Sequence, residues 1–116
     1  MIQPLQTTLR KRVFLAGSFE TDAANAPPNQ LGDGVVTHSA TGVWLITLNR
    51  NYGVMESGTL SVDSLTGDQV VRGLKYSNSS GVTVLTAEVI DVSGAALADI
   101  DGPRINWQAV FSGRAT

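Results

Sequence analysis

The chain reads as a single all-β domain, a β-sandwich or jelly-roll-like fold of about seven strands. Three observations predict it. Apolar residues recur with period two rather than 3.6, which places alternate side chains on opposite faces of a sheet. Turn-forming residues break the chain at short intervals: Ala26-Pro27-Pro28-Asn29, Gly32-Asp33-Gly34, Thr41-Gly42, Thr66-Gly67-Asp68, Asn78-Ser79-Ser80-Gly81 and Asp101-Gly102-Pro103. Finally, 116 residues are enough for one domain, and with no Cys that domain must rest on its core rather than on covalent staples.

Taken in order, residues 1–12 read as an N-terminal arm and 13–116 as the sandwich domain. The first strand is expected near 12–20, where Phe14 and Ala16 oppose Val13, Leu15 and Phe19, so both faces carry apolar groups. Residues 21–33 form the longest expected loop, and a loop of that length in a small domain is usually functional or mobile. Strands follow near 34–39 and 42–49. The second of these, Gly42-Val43-Trp44-Leu45-Ile46-Thr47-Leu48, is apolar on both faces. One face meets the core; the other must meet a loop, the N-terminal arm or another subunit.

Near 57–64, Leu60 and Val62 alternate with Thr59, Ser61 and Asp63. Near 68–77, Val70, Leu74 and Tyr76 read as the inner set, with Arg72 interrupting it. A strand near 81–92 comes next, and Gly94-Ala95-Ala96-Leu97-Ala98-Asp99 is the one candidate helix, of one or two turns at most, with a loop or short edge strand as the preferred reading. The last strand, near 104–113, sets Ile105, Trp107, Ala109 and Phe111 inward, which makes Trp107 a core residue. Trp44 is either core or interface.

Composition narrows the chemistry. The first 19 residues carry +3 from Arg10, Lys11 and Arg12, after which Glu20, Asp22 and Asp33 supply −3, and the whole chain is −2. Three cations with no aromatic stacking set beside them are a poor nucleic-acid signature. They read either as a solvated strand entrance or as a docking element for an acidic protein surface, so Arg10, Lys11, Arg12 and Trp44 are the candidate partner-binding residues. No apolar run is longer than the four residues Val43-Trp44-Leu45-Ile46, so neither a secretory signal nor a membrane span is expected, and a soluble chain made in the cytoplasm is.

His38 is the single histidine. Its neighbour Ser39 points to the opposite sheet face, no Gly-x-Ser-x-Gly turn exists, and a strand histidine is the expectation. Asp91, Asp99 and Asp101 lie near Gly94 and Gly102, but their spacing is not that of a calcium loop and fits turn-starting aspartates. Asn78-Ser79-Ser80 matches a glycosylation sequon and reads as a hairpin turn. No catalytic set, cofactor or metal is expected.

Two stretches carry a resemblance. Thr41-Gly42-Val43-Trp44-Leu45-Ile46-Thr47-Leu48 with Tyr52-Gly53, and Asp91-Val92-Ser93-Gly94-Ala95-Ala96-Leu97-Ala98-Asp99-Ile100 leading into Ile105-Asn106-Trp107-Gln108-Ala109-Val110-Phe111, resemble the capsid decoration (cement) proteins of tailed bacteriophages. The resemblance implies a non-enzymatic structural protein of the virion. It would assemble as a homotrimer on the capsid exterior and bind the major capsid protein, with no direct contact to nucleic acid or membrane. The alternative is a carbohydrate-binding or receptor-adhesion sandwich, which needs Trp44, Tyr52 or Tyr76 exposed as a stacking platform.

Overall fold

The computed structural model describes residues 12–62, 69–78, 81–91 and 96–112. The strands are β1 (Arg12–Glu20), β2 (Leu31–Gly32), β3 (Val35–Ala40), β4 (Val43–Thr47), β5 (Val54–Val62), β6 (Gln69–Ser77), β7 (Val84–Asp91) and β8 (Arg104–Ser112). They form two four-stranded antiparallel sheets, β2-β1-β8-β5 (sheet I) and β3-β4-β7-β6 (sheet II). The β-sandwich read from the alternation is therefore the observed fold.

One core lies between the sheets. Sheet I contributes Leu15, Phe19, Ile105, Trp107, Ala109 and Phe111, and sheet II contributes Val36, Trp44, Ile46, Leu85, Ala87 and Val89. Rings cross the gap at two places: Phe19 tilts against Trp44 at 6.5 Å, and Tyr76 meets Phe111 edge-on at 6.2 Å. Trp107 is accommodated by its register partner Gly17, where a Cβ would lie 2.7 Å from the indole Nε1.

Three elements depart from the sequence reading. The expected loop 21–33 contains β2, too short to show periodicity. It covers the edge of β1 only at Gly17 and Ser18. Asp33 then finishes the ladder, donating its N–H to the Ala16 carbonyl (3.0 Å) and accepting from the Ala16 N–H through Oδ2 (3.1 Å).

In β6 the inner set is Val71, Leu74 and Tyr76, whose register partners are Val89, Ala87 and Leu85. A bulge between Val71 and Gly73 shifts the phase by one residue, so Val70 faces outward and corrects the expected set. In β5 a second bulge, between Met55 and Ser57, lets the strand begin at Val54, ahead of the expected 57.

The segment 94–99 is described from Ala96 onward. Leu97 forms an isolated bridge with Ile90, the short edge pairing expected there. Of the proposed arm, residues 1–11 lie outside the described residues and Arg12 is the first residue of β1.

Candidate functional site

The two bonding registers of β8 lay out the outer face of sheet I row by row. Arg12, Ser112 and Val54 share one row; Phe14, Val110 and Ser57 the next; then Ala16, Gln108 and Thr59; then Ser18, Asn106 and Ser61; and Glu20 with Arg104 the last. The three middle rows of β1, β8 and β5 hold only neutral side chains, but the Asp33 carboxylate accepts the Ala16 N–H at their edge (3.1 Å) and the Arg104 guanidinium reaches Ser18 Oγ (2.8 Å). An ion pair closes each end: Arg12 Nε to Glu56 Oε1 at 2.6 Å and Arg104 to Glu20 at 3.5 Å.

Phe14 stands on this face 75% exposed, with Val54 and Leu31 also exposed at its margins. Ala16 and Ser18 are small while Leu31, Asn106 and Gln108 around them are larger. The result is a shallow depression of about 320 Å³ lined by these five residues and Gly32, among others.

The outer face of sheet II differs. Its Glu88 carboxylate receives both Lys75 (3.2 Å) and Arg72 (3.3 Å). Burial raises the Glu88 pKa, but hydrogen bonds from Lys75 and Arg72 and their charges outweigh it and hold the group below its ordinary value. Val43 and Leu45, the outward residues of the doubly apolar β4, are half-buried among Thr37, Thr86 and Glu88 on the neighbouring strands.

The candidate partner-binding residues separate. Arg10 and Lys11 lie outside the described residues. Arg12 has an acidic partner within its own chain, Glu56. Trp44 takes the core alternative at 0% exposure, stacked on His38 at 4.8 Å. The aromatic platform of the alternative reading loses two of its three rings: Trp44 is enclosed, and Tyr52 is half-buried against Phe111 at 5.6 Å. Tyr76 is exposed at one rim.

His38 and the aspartates serve local structure. Asp99 Oδ1 meets His38 Nε2 at 2.9 Å and accepts the Gly42 N–H at 2.5 Å, fastening the β3–β4 turn to the segment after Leu97. Asp101 accepts the Ala23 N–H. Asp22 accepts the N–H groups of Ala24 and Asn25, which hold its pKa below the ordinary value. Asn78 donates to the Gly53 carbonyl and accepts from Thr83.

Among the described residues no group of three His, Asp or Glu side chains is placed to hold a metal, and no helix is long and apolar enough to cross a membrane. The sequence reading sets Phe14 on the face of β1 opposite Val13, Leu15 and Phe19 but leaves it out of the candidate partner-binding residues. Comparisons with protein-family models, with curated proteins and with solved structures give no match.

Proposed function

We propose that this chain is an adhesive structural protein of a tailed-phage head, a homo-oligomer that binds the major capsid protein on the capsid exterior. The observation that supports the reading is the outer face of sheet I: its three middle rows on β1, β8 and β5 hold neutral side chains, and Phe14 stands exposed among them. Isolated exposed apolar residues are ordinary, but an aromatic among neutral side chains on a sheet face suits burial against another protein.

The mechanism is adhesion. Burial contributes roughly 25 cal/mol per Å² of apolar surface, so one such face gives a modest contact. Repetition over an oligomer and a lattice multiplies it through effective concentration. The three-fold oligomer that the resemblance implies belongs to the same reading, and native mass determines it.

The test is co-sedimentation of purified protein with expanded empty heads of the parent phage. Wild-type protein is expected to pellet with heads and saturate. Thr59→Glu, which places a charge in the middle of the face, should lower occupancy, while Lys75→Ala on the opposite face leaves it unchanged. Wild-type protein that stays in the supernatant overturns the reading.

A further inference from the structure

We infer that the edge of β5, over Ser57–Val62, pairs antiparallel with the same edge of a second copy. The inference rests on the homo-oligomer of the reading above and names the element through which its copies join.

A sheet edge presents unpaired N–H and C=O groups, and proteins blunt such edges with bulges, charges or covering chain. Three of the four edges here are treated so. β3 bulges between His38 and Ala40, and the Gln30 side chain closes it. Gln30 Oε1 accepts the Val36 N–H (2.8 Å) and Nε2 donates to the Val36 carbonyl (2.9 Å), the two bonds a neighbouring strand would make. β6 bulges at Val71/Gly73 and carries Arg72 and Lys75. On the β1 side of sheet I, β2, Asp33 and the Pro28 carbonyl bond β1 from Ala16 to Glu20, leaving Arg12–Leu15, a short stretch headed by a charge.

In β5 only the start is blunted, by the bulge at Met55/Ser57 and by Glu56. Ser57-Gly58-Thr59-Leu60-Ser61-Val62 then pairs with β8 without interruption and contains neither charge nor Pro. Among the described residues no strand pairs with its other side.

The core is open on the same flank. The inward residues of β5 and β6 (Met55, Leu60, Val62, Val71 and Leu74) are half-buried and Tyr76 is exposed, whereas those of β4, β7 and β8 are buried. On the opposite flank Val36 of β3 is enclosed. A partner on the β5 flank therefore gains main-chain bonds and apolar cover together.

A second copy suits that edge. Opposed residues of an antiparallel pair point to the same face. A two-fold axis perpendicular to sheet I thus sets Ser57, Thr59 and Ser61 among their counterparts outside, and Gly58, Leu60 and Val62 among theirs inside. No like charges meet along the edge, and Arg72 and Lys75 lean back from the flank onto Glu88. The result is one eight-stranded sheet, β2-β1-β8-β5 continued by β5-β8-β1-β2 of the second copy, with both Phe14 side chains on one side. The two adhesive faces then lie in a single surface and act through effective concentration.

The area fits a reversible pair. β5 and β6 are 9 residues long, about 30 Å at about 3.3 Å per residue, and two sheets about 10 Å apart make a flank roughly 20 Å thick with side chains. Each copy buries roughly 600 Å² and the pair roughly 1,200 Å², at the lower limit of specific interfaces, so association depends on concentration.

Sedimentation velocity on the purified protein, from low to high micromolar concentration and without heads, reads the pairing as a doubling of the smallest species, whether that is one chain or a ring of chains. Wild-type protein should double, and hydrogen exchange of residues 57–62 should slow as it does. Ser57→Lys/Ser61→Lys and Ser57→Glu/Ser61→Glu, both at exposed positions, should each weaken doubling by roughly tenfold or more, because each brings like charges together. Mixed in equal amounts the two variants should double again, since Lys then meets Glu. Thr37→Lys, on the edge that Gln30 closes, should leave doubling unchanged. Far-UV circular dichroism of each variant should match wild type.

No doubling of wild-type protein, charged variants that double as wild type does, or a mixture no better than its components each overturns the inference and leaves the β5 edge to a strand of another protein. Wild-type protein that fails to double can still saturate heads, so failure of the pairing and failure of the adhesive reading are read separately.

Discussion

Thr83 shows how much a single small residue can hold. It is fully buried in the turn before β7, and each of its polar atoms is used. Its N–H donates to the Arg50 carbonyl, and its carbonyl accepts from Leu48. Its hydroxyl donates to Asn78 Oδ1 and accepts from the Tyr52 N–H. The β4–β5 connection is thereby fixed to the β6–β7 turn. Thr83→Val keeps the volume and removes the hydroxyl, stranding the Tyr52 N–H and the Asn78 acceptor. The expected loss is about 1–3 kcal/mol, the usual cost of an orphaned buried partner, measured by urea unfolding. Gly17 holds its place by lacking a side chain. A Cβ there would lie 2.7 Å from both the Leu31 carbonyl oxygen and Trp107 Nε1. Because backbone and a packed indole cannot both retreat, Gly17→Ala should cost about 1–3 kcal/mol in the same unfolding measurement, as overpacking does.

At the scale of the elements, Glu88 joins β7 to β6 through Arg72 and Lys75, and its pKa is depressed in the folded state. A depressed carboxyl pKa means stability that is present above the ordinary value of 4.5 and lost as pH falls through the lower folded value. Glu88→Gln should therefore flatten the acid limb of a stability-against-pH profile below that point and lower stability at neutral pH. A profile of unchanged steepness would assign the acid limb to other carboxylates. The same strand pair marks how far the sequence could be read. Strand positions were legible because alternation survives wherever one face is buried: Ile105, Trp107, Ala109 and Phe111 all point to the core as expected. The phase of β6 was not, because the bulge at Val71/Gly73 shifts pairing by one residue while leaving the composition strand-like. Arg72 within an apolar set was its only trace. β2 was illegible since two residues have no period, and strand order was illegible because alternation identifies faces without identifying neighbours. Of the surface, Phe14 could be placed on the outer side of β1. The rows of neutral side chains around it depend on the β1–β8–β5 register, which only the fold supplies.

For the whole molecule, the basic run Arg10-Lys11-Arg12 is the sequence feature whose contribution depends most on salt. Arg12 and Ser112, the first and last described residues, are register partners at the Phe14 end of sheet I. Arg10 and Lys11 lie outside the described residues, and Arg12 is paired with Glu56. Exposed ion pairs contribute only about 0–1 kcal/mol each and are screened over about 10 Å at ordinary ionic strength. Their effect on head binding should accordingly be visible at low salt and small at high salt. The expected outcome for Arg10→Ala/Lys11→Ala is lower occupancy of heads than wild type in dilute buffer, with the two curves converging as salt is raised. Phe14→Asp, which acts through apolar contact, should stay below wild type across the whole series. Parallel curves for wild type and the double alanine variant would show that docking draws nothing from the basic run and rests on the sheet face alone.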